Sequence, residues 1–177
     1  MGYLWNDRGE EMKKIYACFC TDVIHEGHLN IIRQASKYGT VIAGVLGDQA
    51  MIRYNRFPTV SFEERKKMLE NIPEVSRVVE QQDVVYDNII KELRPDYVIH
   101  GDNWREGPMA MIRENVMACL EKWGGELIEV PYTYSESVRN MEAIMKERTA
   151  MPEFRRKRLR LLLKLCPIVK VIEVHSG

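Results

Sequence analysis

Five short apolar segments alternate with longer segments in which apolar residues recur at helical spacing, and this alternation allows few folds. The first two short segments are continuous and apolar, which is typical of strands buried on both faces of a parallel sheet. The predicted strands are 15–20, 40–46, 75–79, 96–100 and 126–130. The predicted helices are 28–38, 62–71, 83–93, 108–123 and 136–146. Because parallel strands need crossover connections, this order predicts an α/β fold with a doubly wound parallel sheet of about five strands.

Unusual sequences follow three of the predicted strands. They are the loops 20–28, 101–105 and 131–137. In open parallel sheets, ligands bind beyond the carboxyl ends of the strands, at the point where the strand order reverses. We therefore expect the three loops to share one edge of the sheet and to form a single site.

The first of these loops reads DVIHEGH over residues 22–28. Its glycine allows the backbone to approach a ligand, and the following helix start offers unpaired N–H groups and a partial positive charge. An imidazole near a helix N-terminus tends to stay neutral, yet it can still donate a hydrogen bond to a phosphate oxygen. His25 and His28 therefore predict a phosphate site that stabilises charge developing on phosphorus.

Two other interpretations of the histidine pair stay open. His25 and His28 could bind zinc, although they are three residues apart, no third ligand follows at a familiar spacing, and the HExxH pattern is absent. They could also be two buried structural histidines.

Two candidate phosphate-binding arginines, Arg56 and Arg65, lie between the second and third predicted strands. Ser61 and Glu64 form a capping-box pattern at the start of a helix, and Arg65 follows in its first turn. Because a cation there opposes the helix dipole, its position indicates either an anion held at that end or a surface ion pair with a neighbouring glutamate. Arg56 lies in the basic segment 53–58, which we interpret as a loop.

Charge and composition exclude several functional classes. The 177 residues include 26 basic and 26 acidic side chains, so no overall charge favours nucleic acid or a membrane surface. No segment approaches the roughly 20 apolar residues of a membrane span, and residues 1–14 lack the apolar centre of a signal peptide. The four cysteines are not spaced as a zinc site and are interpreted as reduced core thiols. We expect a soluble cytoplasmic protein without a protein-bound metal.

The composition changes near residue 149. The segment 154–165 is helical in pattern, basic on one side and leucine-rich on the other, and 168–174 resembles a strand. A strand so close to the last residue suggests a second domain that is cut short. We predict a loose tail over residues 1–13 and a main domain over residues 14–146. A linker over 147–153 then leads to a truncated second domain over 154–177.

Three motifs resemble one enzyme family. Residues 22–28 match the DxxHxGH signature of the cytidylyltransferase branch of the nucleotidyltransferase superfamily, and the sequence GDNW at 101–104 is similar to its GDDW. Glu64 and Arg65 resemble the start of one of the family's helices. The resemblance implies a Rossmann-like fold of the HxGH type. It also implies transfer of CMP from CTP with release of pyrophosphate, the Mg²⁺ arriving with CTP.

The resemblance also implies roles for individual residues. Catalytic roles fall on His25, His28 and Arg65, which would contact the phosphates. Trp104 offers a face on which a base could stack, with simple packing as the alternative. The implied nucleotide-binding residues are Phe19, Cys20, Asp22, Gly27, Arg56, His100, Gly101, Asp102, Trp104, Ser135 and Ser137.

A narrower resemblance concerns the C-terminal segment. The sequences PEFRR at 152–156 and VIEVHSG at 171–177 look like the junction in enzymes whose cytidylyltransferase domain precedes a phosphoenolpyruvate mutase barrel of phosphonate biosynthesis. This implies a hydroxyalkyl- or aminoalkylphosphonate acceptor, a homodimer and a downstream mutase domain. The alternatives are a glycerol-phosphate or alcohol-phosphate cytidylyltransferase, or a degenerate nucleotide-binding module that serves the barrel.

Several positions depart from the family pattern. Phe19 stands where many relatives have glycine, and Asn55 stands where lysine is common before the arginine at position 56. Asn103 replaces the second aspartate of GDDW, and Glu136 introduces an anion where phosphate would bind. Asn55, Asn103 and Glu136 favour the degenerate module as the alternative, whereas the motifs taken together favour cytidylyl transfer.

Overall fold

The chain divides into two compact units, residues 1–134 and 135–177. The computed structural model describes residues 12–20, 22–54, 56–131 and 151–165, with six single positions between 136 and 147. The domain boundaries predicted from the sequence stay predictions. Each unit is described by itself below.

A five-stranded parallel sheet forms the centre of the first unit. Its strands are β1 (Lys14–Phe19), β2 (Thr40–Leu46), β3 (Val75–Gln81), β4 (Tyr97–Gly101) and β5 (Glu126–Val130). They lie in the order β3-β2-β1-β4-β5, and all neighbouring pairs are parallel. The predicted fold class is confirmed, and each predicted strand is present with its ends shifted by no more than two residues.

Helices cover the two faces of this sheet. They are α1 (Glu26–Ser36), α2 (Asp48–Arg53), α3 (Phe62–Glu70), α4 (Asp87–Leu93) and α5 (Ala110–Leu120). The sequence did not predict α2, because six residues are too few to show a helical period. The predicted start of α4 was four residues too early, and α1 begins two residues before its predicted start.

Alternate side chains of β1 are buried on opposite faces of the sheet. Ile15 and Phe19 pack in one core cluster with Leu69 of α3. Tyr16 packs in a second cluster with Val116 of α5. Because both faces are covered, the strand needs apolar side chains at successive positions, which explains its continuous apolar sequence.

The strand order reverses beside β1. Strands β2 and β3 lie on one side of it and β4 and β5 on the other, so the chain crosses over between β3 and β4. The loops that follow β1 and β4 therefore flank a crevice at the carboxyl ends of two adjacent strands. This is the edge at which a ligand site is expected in such a sheet.

One helix is described in full in the second unit. Helix α6 (Pro152–Leu165) carries six basic side chains and one acidic side chain, as the sequence pattern predicted. The strand predicted over 168–174 and most of the helix predicted over 136–146 lie outside the described residues. Within the described part of the chain, no helix is long and apolar enough to cross a membrane.

Candidate functional site

His25 and His28 together cap the start of α1. His25 occupies the N-cap position with an extended backbone, and its Nδ1 accepts a hydrogen bond from the Gly27 amide at 3.1 Å. The Nδ1 of His28 accepts a hydrogen bond from the His25 amide at 3.4 Å. Two imidazoles thus satisfy N–H groups that a helix start leaves unpaired, as Ser and Glu do in an ordinary capping box. This cap explains why α1 begins at Glu26.

The capping contacts determine which ring nitrogen carries the hydrogen. Since each Nδ1 accepts a hydrogen bond, the proton of each neutral ring lies on Nε2. The two rings are tilted by 31° with their centroids 3.8 Å apart, and the Phe19 ring meets the His28 ring edge-on at 5.6 Å. Burial, then His25, then Arg56 lower the pKa of His28 to about 3. His28 is therefore a neutral hydrogen-bond donor at physiological pH.

Two loops meet at this edge: the histidine loop, residues 20–25, and the arginine loop, residues 54–61. Arg56 is exposed and donates from Nη1 to the Cys20 carbonyl oxygen at 3.2 Å. Its guanidinium carbon also lies 5.7 Å from the centre of the Tyr54 ring. An exposed cation therefore contacts the loop that carries the imidazole pair.

Asp22 joins the two loops. Its Oδ2 accepts hydrogen bonds from the Thr59 amide at 2.7 Å and from the Thr59 hydroxyl at 2.6 Å. Its Oδ1 is buried without a hydrogen-bond partner among the described residues and lies 3.9 Å from Nε of Arg65. Only 8% of Asp22 is exposed. The Asp22 carboxylate, which the resemblance places among the nucleotide-binding residues, is thus buried against Thr59, and its binding role stays a prediction.

Arg65 is buried rather than placed at the surface. It is 1% exposed, and its Nε donates to the Val60 carbonyl oxygen at 3.2 Å. Its Nη1 donates to the Leu46 carbonyl oxygen at 2.7 Å, and its Nη2 donates to the Asp48 carboxylate. The surface ion pair with a glutamate is therefore wrong: the partner is Asp48, at the start of the unpredicted helix α2. The catalytic role of Arg65 stays a prediction.

The loop after β4 presents a stacked pair of rings. Trp104 and His100 lie 3.9 Å apart between ring centroids and 11° from parallel. Trp104 is 1% exposed, so the free face that the sequence suggested for a base is not available, and the packing alternative describes it. The Nδ1 of His100 lies 2.7 Å from the Gly101 carbonyl oxygen, and burial lowers the pKa of His100.

Glu129 holds this loop in place, and sequence reasoning missed it. Its carboxylate accepts one hydrogen bond from Nε1 of Trp104 and two each from Arg105 and Arg113, between 2.9 and 3.1 Å. These bonds, with that of Arg113 first, lower the pKa of Glu129 to about 2. The sequence held one signal for this role, which is the charge of Glu129 near the carboxyl end of the predicted strand 126–130.

Three of the remaining predicted site residues lie within the described part of the chain, and two lie outside it. Gly27 is buried in the first turn of α1, and Gly101 and Asp102 stand where β4 passes into a short 3₁₀ turn. Ser135 and Ser137 lie outside the described residues.

Among the described residues, no group of three or more His, Cys, Asp and Glu is placed to hold a metal ion. Cys18, Cys20 and Cys119 are free thiols, and burial raises the pKa of Cys18 to about 12. Cys166 lies outside the described residues.

The family of the chain follows from its match to a known sequence family. A family model described as cytidylyltransferase-like matches residues 17–173, which include the capping histidines and the GDNW sequence. The chain belongs to the cytidylyltransferase-like family. The matched range includes the loops after β1 and β4.

Individual relatives match over different shares of their length. The bifunctional protein HldE of Desulfatibacillum aliphaticivorans is 27% identical over 131 residues, which are 72% of this chain and 26% of that protein. The ethanolamine-phosphate cytidylyltransferase of Arabidopsis thaliana is 30% identical over 96 residues, 51% of this chain and 23% of that protein. The D-beta-D-heptose 1-phosphate adenylyltransferase of Bordetella bronchiseptica is 26% identical over 120 residues, 66% and 71% of the two chains. The chain thus spans only 26% and 23% of the first two relatives.

Solved structures share the fold. A lipopolysaccharide core biosynthesis protein from Thermoplasma volcanium aligns with a TM-score of 0.58 at 17% identity, covering 71% of this chain and 99% of that one. A pantoate-beta-alanine ligase from Francisella tularensis aligns with a TM-score of 0.52 at 12% identity, covering 71% and 61%. At these identities the likeness concerns the fold alone.

Proposed function

We propose that this protein transfers a cytidylyl group from CTP to a small acceptor that carries a phosphonate or a phosphate monoester. An acceptor oxygen attacks the α-phosphorus in line and forms a new P–O bond. The bond from the α-phosphorus to the bridging oxygen breaks, and its electron pair leaves with pyrophosphate. The observation that carries the proposal is the imidazole pair at the start of α1, whose Nδ1 atoms are occupied by backbone donors.

The chemistry matches what these side chains can do. Phosphoryl and nucleotidyl transfer needs positioning and charge stabilisation more than a covalent nucleophile. The Nε2–H groups of His25 and His28 would donate to phosphate oxygens as negative charge develops there, at a helix N-terminus that also favours anions. Arg56, exposed on the adjoining loop, would neutralise part of the charge of the leaving pyrophosphate.

We propose that Mg²⁺ enters bound to the triphosphate. Among the described residues, no grouping of acidic and imidazole side chains fits a resident ion. The ion would neutralise phosphate charge when bound, and no role of a protein side chain in the proposed transfer depends on it.

Two classes of acceptor compete for the second substrate. A phosphate ester is supported by the names of the relatives from Arabidopsis thaliana and Bordetella bronchiseptica. A phosphonate is supported by the resemblance of residues 152–177 to enzymes fused to a mutase barrel. Both present the same attacking oxygens, so the choice between them lies in how the rest of the acceptor is bound. We propose the phosphonate as the acceptor.

A matched pair of acceptors, one phosphonate and one phosphate ester, tests both the transfer from CTP and the choice of acceptor. Pyrophosphate release is measured with CTP and with ATP, using 2-aminoethylphosphonate, ethanolamine phosphate or no acceptor. The expected result is release that requires both CTP and an acceptor, with the higher kcat/KM for the phosphonate. Preference for ethanolamine phosphate would reassign the acceptor. Pyrophosphate release with ATP but not with CTP would contradict cytidylyl transfer. Binding of CTP without any release would support the degenerate module.

Two further proposals rest on the resemblance alone. One is a mutase domain that follows residue 177, and the other is a homodimer. Reading the gene beyond codon 177 tests the first, and sedimentation of the full-length product tests the second. A stop codon directly after Gly177 or a monomeric sedimentation coefficient would contradict the respective proposal.

A further inference from the structure

We propose that Thr59 is a positioning residue, which holds the arginine loop against the histidine loop through the carboxylate of Asp22. It would thereby keep Arg56 beside the imidazole pair during phosphate binding. The inference rests on the proposed function, because that function gives the two loops a common ligand.

The contact between Thr59 and Asp22 has the geometry of a strong link. The amide and the hydroxyl of Thr59 both donate to the same oxygen, Oδ2, at 2.7 and 2.6 Å. Hydrogen bonds to an ionised acceptor are shorter and stronger than neutral ones. The other oxygen of Asp22 is buried and accepts no hydrogen bond in the described structure. The nearest ion-pair partner is Arg65, whose Nε lies 3.9 Å from that oxygen.

Thr59 stands between the two ends of the arginine loop, which are fixed elsewhere. Near its start, the Arg56 amide donates to the Met51 carbonyl oxygen at 2.8 Å, within the end of α2. Near its end, the Val60 carbonyl oxygen accepts from Nε of Arg65 at 3.2 Å. Neither contact reaches the histidine loop. The threonine does so, through its bonds to Asp22.

The second link between the loops is one that a bound phosphate would remove. Arg56 donates from Nη1 to the Cys20 carbonyl oxygen at 3.2 Å. An anionic oxygen is a stronger acceptor than a peptide carbonyl, so the guanidinium would turn towards a bound phosphate. The bonds between Thr59 and Asp22 do not involve this guanidinium, so they still join the loops once it has turned. The threonine is therefore needed most when the nucleotide is bound.

Three variants separate this role from a general effect on folding. Thr59→Val keeps the shape and the amide donor but removes the hydroxyl, and Thr59→Ser keeps the hydroxyl. Thr40→Val is the matched control, because the Thr40 hydroxyl donates to the Met12 sulfur at 3.8 Å, at the opposite end of the sheet. For each variant, calorimetry measures the Kd of CTP and of inorganic pyrophosphate, and pyrophosphate release gives kcat and KM.

The expected result is a selective loss of phosphate binding. Thr59→Val should raise the Kd of pyrophosphate and the KM for CTP about tenfold, the equivalent of one charge-assisted hydrogen bond. Thr59→Ser and Thr40→Val should stay close to wild type. If Thr59→Val does not fold, Thr59→Ala replaces it in the same series. Equal binding by Thr59→Val and Thr40→Val, with only a lower unfolding midpoint for the former, would overturn the inference.

A double-mutant cycle with Arg56→Gln tests the route of the effect. If Thr59 acts by placing Arg56, then Thr59→Val should weaken pyrophosphate binding little further in the Arg56→Gln background. Additive losses would mean that Thr59 acts independently of Arg56, contrary to the inference. A wild-type chain that binds CTP and pyrophosphate but never turns over would contradict the proposed function alone, since the binding comparison would still decide the role of Thr59.

Discussion

If His28 acts as a neutral hydrogen-bond donor, His28→Asn and His28→Gln should differ in their effect on activity. The Nδ1 of His28 accepts the His25 amide, so the ring presents Nε2–H outward from the cap. Asparagine can place an acceptor near the Nδ1 position but has nothing at the Nε2 position. Glutamine can place an N–H donor near the Nε2 position. His28→Asn should therefore preserve much of the cap and lose the catalytic donor, whereas His28→Gln should retain part of the activity.

The pKa of His28 gives the expected magnitude. At a pKa of about 3, roughly one ring in ten thousand is protonated at pH 7. Catalysis at that pH thus depends on a neutral donor to an anionic oxygen, a hydrogen bond that contributes about 1.5–3 kcal/mol. His28→Asn should lower kcat/KM by about 10- to 100-fold. His28 should also add no inflection to the pH profile of kcat/KM near its ordinary value of 6.5.

Pyrophosphate release measured between about pH 5 and 8 would check both expectations, with ¹⁵N NMR of the imidazole reporting the tautomer. Ser36→Ala is the control for damage to α1, because this exposed hydroxyl contacts only the Arg33 carbonyl oxygen at the far end of the helix. An inflection near pH 6.5 that disappears in His28→Gln would show a catalytic imidazolium. That result, or wild-type kcat/KM in His28→Asn, would refute the reasoning.

Three further predictions concern stability. Glu129→Gln should destabilise the protein by about 2 kcal/mol at pH 7, because it removes the charge that Arg105 and Arg113 share. The pKa of Glu129 is about 2 in the folded protein against an ordinary 4.5. The difference in unfolding free energy between wild type and variant, measured in urea, should therefore shrink as the pH falls below about 4.5. Arg65→Ala should cost about 3 kcal/mol in urea unfolding, since it leaves buried acceptors unpaired; a cost close to zero would contradict the buried role. Gly44→Ala should lower the free energy of unfolding by about 1–3 kcal/mol, and with it the thermal midpoint, because the added Cβ would overlap the Tyr16 hydroxyl. An unchanged midpoint would show that Tyr16 can move without a loss of stability.

Local sequence was sufficient to predict the sheet, whereas the position of the site stays a prediction. The strands β1 and β2 are largely buried and read as continuous apolar runs that need no knowledge of their neighbours. The edge strand β3 differs, because Ser76 and Arg77 within it are exposed. The strand order along the chain then places the ends of β1 and β4 at one edge. His25 and His28 stood out because a glycine and a helix start lie beside them in one short segment; their capping contacts, which the sequence did not predict, span no more than three residues.

The roles of the charged residues were decided by partners that are distant along the chain. Asp22 meets Thr59 across 37 positions, Arg65 meets Asp48 across 17, and Trp104 meets Glu129 across 25.

No local pattern encodes such pairs, since each depends on which strands become neighbours and on which loops follow them. The sequence by itself therefore determined the fold class, and it predicted a ligand site at the carboxyl ends of the strands. Only the tertiary structure decided that Arg65 is buried, that the ring of Trp104 is covered, and that Asp22 binds the arginine loop. The physical reason is that a buried charge is stable only beside its partner, and folding brings that partner from elsewhere in the chain.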